Sequence, residues 1–302
     1  MMDKSHSIVS VIICSVNIEN FKLARQSIER TIGIDHEIIR IDNRETQWGI
    51  CKAYNHGASI ATGDYLCFMH EDVFFKSQDW GKTLVEHISS IPDCGVVGLA
   101  GTDYVSRFHA FWWYSGNVVR NFSTIDANNT LYSKKTHPTG TFIPVKILDG
   151  FFLFCKKEVW ENSPFDETNF PDFHFYDIDF TLSVSNQNFY NYVCNNINVI
   201  HLSSGTLALS HYKNAKAFRV KYKDLLPIAG SQSTFGKQVY YELMSAYRLY
   251  KYAIKVGASR KLQLQEIKQI SKTYYCLLLF SIPFLDMIMF FKKRLNNQHC
   301  VR

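Results

Sequence analysis

Three side chains able to bind a metal ion stand in a row at His70, Glu71 and Asp72, inside the stretch FMHEDVFF. An apolar run, YLCFM, stops at them, and apolar residues resume beyond. Carboxylates on a short loop at a strand end can hold Mg²⁺ or Mn²⁺ through oxygen, and such an ion bridges to phosphate oxygens. It then offsets charge building on a leaving diphosphate. A solvated acidic loop is the plain alternative. Asp42 and Asn43 close another apolar segment, where a carboxylate accepts hydrogen bonds from a ribose or base, or else caps a turn. FYDIDF places Asp177 and Asp179 two residues apart at a helix start, so they point in different directions. One can face a crevice as general base while the other caps or braces the helix. His201 follows NVI, where an imidazole either completes a metal site with Asp72 or is a satisfied structural histidine. WWYSGN, residues 112 to 117, offers flat faces to a sugar or base, or packs a loop.

The surrounding patterns say how these groups are carried. SIVSVIICSV, residues 7 to 16, is nearly continuous in its apolar character, as a strand buried on both faces requires. Asn17 caps a predicted helix from Glu19 to Thr31, with Phe21, Ala24 and Ile28 on one side. HEIIRIDN, YLCFM and GVVGLAG read as further strands; GICKAYNHGASIA and WGKTLVEHISSI read as the helices between them. The first hundred residues thus alternate strand and helix, which implies a parallel sheet with right-handed crossovers. Ligands of such sheets lie beyond the carboxyl ends of the strands, so Asp42 and His70-Glu71-Asp72 are expected to face one crevice. Residues 102 to 147 show no helical period and are expected to form a hairpin or long loop bordering it. ILDGFFLFCKKEVW reads as strand then helix, FPDFHFYDIDFTLSVSNQ as an irregular stretch entering a helix, and NYVCNNINVIHLSSG as a late strand. YYELMSAYRLYKYAIK is a predicted helix. TYYCLLLFSIPFLDMIMFFKKRL, residues 273 to 295, is a core-packing helix pair, a segment docked at a membrane surface, or a membrane span at the lower limit of length.

The chain has 302 residues, 46% of them hydrophobic, enough for a large core. A net charge of +6 suits an anionic small molecule or membrane surface and is too weak to argue for nucleic acid. Eight cysteines without a CxxC pair argue against a zinc ribbon or disulfide framework and favour a reducing, cytoplasmic compartment, while the mildly basic C-terminal helices suit peripheral contact at the inner face of the cell membrane. Neither GxGxxG after the first strand, nor GxxxxGK[ST], nor GxSxG occurs, which disfavours nicotinamide, P-loop and common hydrolase chemistry.

The order SIVSVIICSVN, EIIRIDN, GICKAYNHGASIATGDYLCFMHEDV resembles the nucleotide-sugar half of GT-A glycosyltransferases of the family 2 type, and LDGFFLFCKKEVW, FYDIDF and INVIHLSSG resemble its second half. The His-Glu-Asp-Val and DGFF segments resemble most the streptomycin-biosynthesis StrF-type branch. The resemblance implies a Rossmann-like α/β fold with a mixed, mainly parallel sheet flanked by helices. A domain over residues 1–211, divided into a nucleotide-sugar half (1–101) and an acceptor half (102–211), would precede a helical C-terminal region, 212–302. It implies a nucleotide-sugar donor, UDP-linked for preference, a glycan or lipid-linked acceptor, and inverting transfer assisted by Mn²⁺ or Mg²⁺. Asp177 takes the place of the general base. Asp42, Asn43, Asn55 and Glu71 fall on the donor side, and Asp149, Gly150 and Trp113 on the acceptor side. The implied metal set is Asp72, His201 and His70, with His70 standing where the usual Asp-x-Asp motif has its first Asp. Tyr176 stands where a Glu is common. A GT-A module that binds a nucleotide sugar or a partner without turnover is the alternative function.

Overall fold

The computed structural model describes residues 8–125, 130–136, 140–202, 208–230 and 233–258. Strand β1 (Val9–Ser15) is buried along almost its whole length, as its β-branched run requires. Asn17 then caps α1 (Ile18–Thr31), its side-chain oxygen accepting from the N–H groups of Glu19 and Asn20. The chain continues through β2 (His36–Asp42), α2 (Asn43–Thr46), α3 (Ile50–Ile60), β3 (Tyr65–His70), β4 (Val73–Phe75), α4 (Trp80–Ser90), β5 (Cys94–Gly98) and β6 (Ala100–Thr102). After a 3₁₀ turn at Trp112–Tyr114 come β7 (Val118–Arg120), β8 (Ser123–Ile125), β9 (Leu131–Ser133), β10 (Phe142–Val145), β11 (Ile147–Leu148) and β12 (Phe152–Lys156). The remaining elements are α5 (Lys157–Asn162), α6 (Tyr176–Ser185), β13 (Tyr190–Cys194), β14 (Val199–His201), α7 (Leu209–Lys221) and α8 (Phe235–Lys255).

Seven strands form the main sheet in the order β10-β13-β5-β12-β3-β1-β2. The trio β2, β1 and β3 is parallel. Strand β12 runs antiparallel between β3 and β5, and β13 lies parallel to β5. Helices flank the sheet, and its centre is filled by Phe68, Phe152 and Phe154, all fully buried. Burying a side chain of that size contributes roughly 1.5–3 kcal/mol. Two smaller sheets, β11-β6-β7 and β4-β14-β8-β9, stand beside the main one.

Five features differ from the sequence reading. The first hundred residues do not form one uninterrupted parallel run: β12 enters antiparallel between β3 and β5, because pairing partners distant in sequence leave no trace in a local apolar period. GVVGLAG breaks at Leu99 into β5 and β6. The expected late strand is two, β13 and β14, parted by the polar Asn195-Asn196 and Ile197-Asn198. The stretch expected as a hairpin or loop holds β7 to β10, of which β8 and β9 do form an antiparallel pair. The boundary expected at 211/212 falls inside α7. The apolar segment 273–295 lies outside the described residues. Among the described residues, no helix is long and apolar enough to cross a membrane.

Candidate active site

Strand β3 ends at His70, and a tight turn through Glu71 and Asp72 leads into β4. Strand β14 pairs antiparallel with β4, setting His201 opposite Val73, and Leu202 N–H donates to the Asp72 carbonyl at 3.2 Å. This register brings together groups far apart in the chain. His201 Nε2 lies 3.4 Å from Asp72 Oδ1. His70, Asp72 and His201 each offer one ligand atom, all within 4.8 Å of one another. The His201 ring is stacked on Phe151, centroids 4.6 Å apart with planes at 14°, which holds its orientation. One carboxylate and two imidazoles are a donor set that fits a divalent ion, softer than the all-oxygen shell Mg²⁺ prefers.

The tautomer of His70 follows from its neighbour. Its Nε2 lies 2.8 Å from the Tyr176 hydroxyl, and that hydroxyl lies 3.0 Å from the Gly150 carbonyl. A carbonyl only accepts, so the phenol gives its one proton to Gly150 and receives Nε2–H from His70. The lone pair on Nδ1 is then left for a ligand. Burial holds the imidazole neutral, its pKa brought down to about 4 by desolvation first and by His201 second.

The Gly150 peptide also reaches the opposite way. Its N–H donates to Asp177 Oδ2 at 2.8 Å. Helix α6, which carries Asp177, is anchored by Thr181: its hydroxyl donates to the Asp177 carbonyl at 2.7 Å and accepts from Leu148 N–H at 3.1 Å. Asn191 adds a second tie, its amide donating to the carbonyls of Thr181 and Lys146. Asp177 and Asp149 are both drawn toward the protonated form. Asp177 is pushed up to about 7 by burial first and then by the charge of Asp149. Asp149 is raised by burial, against the pull of His201 and the Phe151 N–H. A carboxylate in this state is matched to taking a proton near neutrality. Asp179 points elsewhere, its carboxylate held by Lys221 at 2.7 Å and by the Tyr222 hydroxyl at 2.9 Å.

Two cavities meet at this cluster. One, of about 500 Å³, is lined by His70, Trp113, Asp149, Tyr176, Asp177 and His201 among others. The other, of about 660 Å³, is lined by Cys14, Asn43, Trp48, Glu71, Asp72 and Asp172 among others. His70, Phe173 and His174 belong to both.

The residues singled out from the sequence fall into distinct places. His70, Asp72 and His201 converge on the junction; Asp177, Asp149 and Trp113 line the first cavity; Asn43 and Glu71 line the second. Gly150 acts through its backbone. Glu71 spends its carboxylate on the N–H groups of Val16 and Asn17, closing the turn from β1 into α1. Asn43 accepts from Trp48 N–H at 2.8 Å and donates to the Trp48 carbonyl at 3.0 Å, pinning that indole at the cavity wall. Asp42 lines neither cavity. It is held by Arg44 and Arg40, and the Arg44 hydrogen bond is the main reason its carboxyl lies well below the usual range. Asn55 also lines neither: it accepts from Trp160 Nε1 and Phe165 N–H and donates to Glu167. Sequence reasoning missed Trp48, Arg120 and Phe173. Trp48 precedes Gly49 after a polar stretch, a signal that was present; nothing local marks the other two.

A large, mostly parallel mixed sheet flanked by helices is the fold of the GT-A glycosyltransferases, and His70, Asp72 and His201 gather where strands β3 and β14 end. Residues 10–222 match the family described as "Glycosyltransferase like family", and the chain belongs to it. Among solved structures, the crystal structure of GalNAc-T7 with UDP, GalNAc and Mn²⁺ is similar at a TM-score of 0.50 and 14% identity, over 90% of this chain and 59% of that one. That likeness is one of fold, and the chain spans about three fifths of that protein's length. A second structure, A197 from STIV, aligns at a TM-score of 0.35 and 14% identity, over 66% of this chain and 86% of that one. No curated protein matches.

Proposed function

We propose that this protein transfers a sugar, with inversion, from a nucleoside-diphosphate donor to a hydroxyl of a glycan or lipid-linked acceptor, in the manner of the StrF-type branch. The observation that carries this reading is the His70-Asp72-His201 cluster at the junction of two cavities, with Asp177 facing into one of them. The nucleoside lies in the second cavity, where Trp48 presents its ring to a base. The acceptor enters the first. Asp177 takes the proton from the accepting hydroxyl, and that oxygen attacks the anomeric carbon from the face opposite the diphosphate. The Gly150 N–H and the Thr181 anchor hold Asp177 in place for this, so that much of the rate comes from positioning. His70, Asp72 and His201 would hold a divalent ion, which when bound would supply positive charge against the departing diphosphate. The two imidazoles favour Mn²⁺ over Mg²⁺ at that position.

Purified protein with Mn²⁺ is expected to transfer or hydrolyse sugar from one member of a nucleotide-sugar panel, with UDP-sugars tested first. Asp72→Ala is expected to weaken metal-dependent UDP affinity about tenfold or more, read by calorimetry. Donor binding indifferent both to Mn²⁺ and to Asp72→Ala, with no turnover on any donor, would instead describe a module that binds without catalysis. Trp48→Ala is expected to cost roughly 1–3 kcal/mol of nucleotide affinity, the usual worth of one base–aromatic stack. An unchanged UDP dissociation constant would remove Trp48 from the donor site.

A further inference from the structure

We propose that the acceptor cavity is built for a substrate carrying an anionic group, a carboxylate or phosphate, held by Arg120 and Lys134. The proposal rests on reading this cavity as the acceptor side of a transferase. Strand register places the two cations. Ser123 pairs with Ser133, Lys134 N–H donates to the Phe122 carbonyl, and Thr136 N–H donates to the Arg120 carbonyl, the last two at 2.9 Å. Alternation along a strand then sets Arg120, Phe122 and Thr124 on one face, with Lys134 opposite Phe122. All four line the cavity. Arg120 and Lys134 are diagonal neighbours across the ribbon, within joint reach of one small anion.

Neither cation is already neutralised. The Arg120 guanidinium lies over the Trp112 ring, 5.5 Å from its centroid, and gives one N–H to the Trp113 carbonyl at 3.3 Å. That leaves most of its five donors for other use. Among the described residues, no carboxylate forms an ion pair with Arg120 or with Lys134. Of the two carboxyls that share the cavity, Asp149 acts on Arg120 through its charge, and neither Asp149 nor Asp177 forms an ion pair with either cation. A half-buried guanidinium with no ion pair is costly, and burial lowers the Arg120 pKa in spite of the charge of Asp149. An arriving anion relieves that cost. A planar guanidinium braced on an indole matches carboxylate or phosphate through two parallel hydrogen bonds, and the exposed Lys134 adds attraction at the mouth.

The test titrates methyl glucoside, methyl glucuronide and glucose 6-phosphate against the intrinsic tryptophan fluorescence, without nucleotide or metal. Either anionic sugar is expected to bind at least about tenfold more tightly than methyl glucoside at low salt, with the advantage shrinking as salt rises. Arg120→Gln is expected to lower anion affinity about tenfold and Lys134→Gln about threefold, neither altering the neutral sugar. A lead for the glucuronide assigns a uronic-acid glycan; a lead for the phosphate assigns a sugar-phosphate or lipid-phosphate acceptor. Equal affinity for all three sugars, no detectable binding of either anion, or no loss in Arg120→Gln overturns the proposal. UDP binding with Mn²⁺, measured separately, reports on the transferase reading, so the two fail independently.

Discussion

Asp177→Asn is expected to lower kcat about 10²–10⁴-fold, the usual contribution of a general base, while UDP binding stays close to that of the native protein. The amide keeps the size of the side chain and an oxygen for the Gly150 N–H, so the loss reports chemistry and not collapse of the site. The pH profile gives a second reading of the same group. A base works only when ionised, and the Asp177 carboxyl is pushed up to about 7. Below that pH it is protonated and idle; above it the rate levels off. The rate should therefore climb as pH rises through neutrality. Asp149 is the charged neighbour that raises this pKa after burial, so Asp149→Asn should move the rising limb toward acid. A rate that is flat across neutrality, or a limb that Asp149→Asn leaves in place, would remove Asp177 from the base position.

Gly150→Ala should damage both ends of the site at once. A methyl group there would stand 2.3 Å from the Tyr176 hydroxyl oxygen and 2.7 Å from Asp177 Cβ. Both contacts are closer than atoms tolerate, so Tyr176 and Asp177 must move. Displacing the base by about 1 Å costs on the order of 10²-fold in rate. Displacing Tyr176 frees His70 to turn, and loss of such an orienting hydrogen bond typically weakens a metal site about 10–100-fold. Tyr176→Phe separates the two effects: it removes the hydrogen bond to His70 and leaves the Gly150 N–H on Asp177. It should weaken Mn²⁺ binding while the pH limb of the rate stays where it is. Thermal unfolding of each variant distinguishes a local effect from a general one. A folded Gly150→Ala protein with native Mn²⁺ affinity and native kcat would show that the link from His70 through Tyr176 and Gly150 to Asp177 has no functional part.

The candidate site was legible in proportion to how local each signal is. Asp72 and His201 stood out because each ends an apolar run, and a polar side chain at the end of a buried strand has few reasons to be there. Asp177 was marked by FYDIDF, where two carboxylates at a helix start cannot both point one way; Asp179 is indeed bound to Lys221 on α7, away from the cavity. Asp42 and Asn55, expected on the donor side with Asn43 and Glu71, line neither cavity, and their polar groups are engaged by Arg44 in one case and by Trp160, Phe165 and Glu167 in the other. Side-chain type does not record which partner comes to meet it. Arg120 carried no signal, since an arginine at the end of a short strand is ordinary until a cavity is found on its face.

The sequence by itself determined several elements and their ends: β-branched runs for buried strands, Asn17 for the start of α1, and polar rims where β3 and β14 stop. These depend on neighbours within a few residues, and local patterns record them. Only the tertiary structure decided that β12 enters the sheet antiparallel beside β3, and that β14 pairs with β4 so that His201 meets Asp72. It alone decided that one peptide, Gly150, links the His70 imidazole, through Tyr176, to the Asp177 carboxylate. Those outcomes are settled by pairing between segments distant along the chain, where the free energy lies in burial and register and leaves no periodic mark in the sequence.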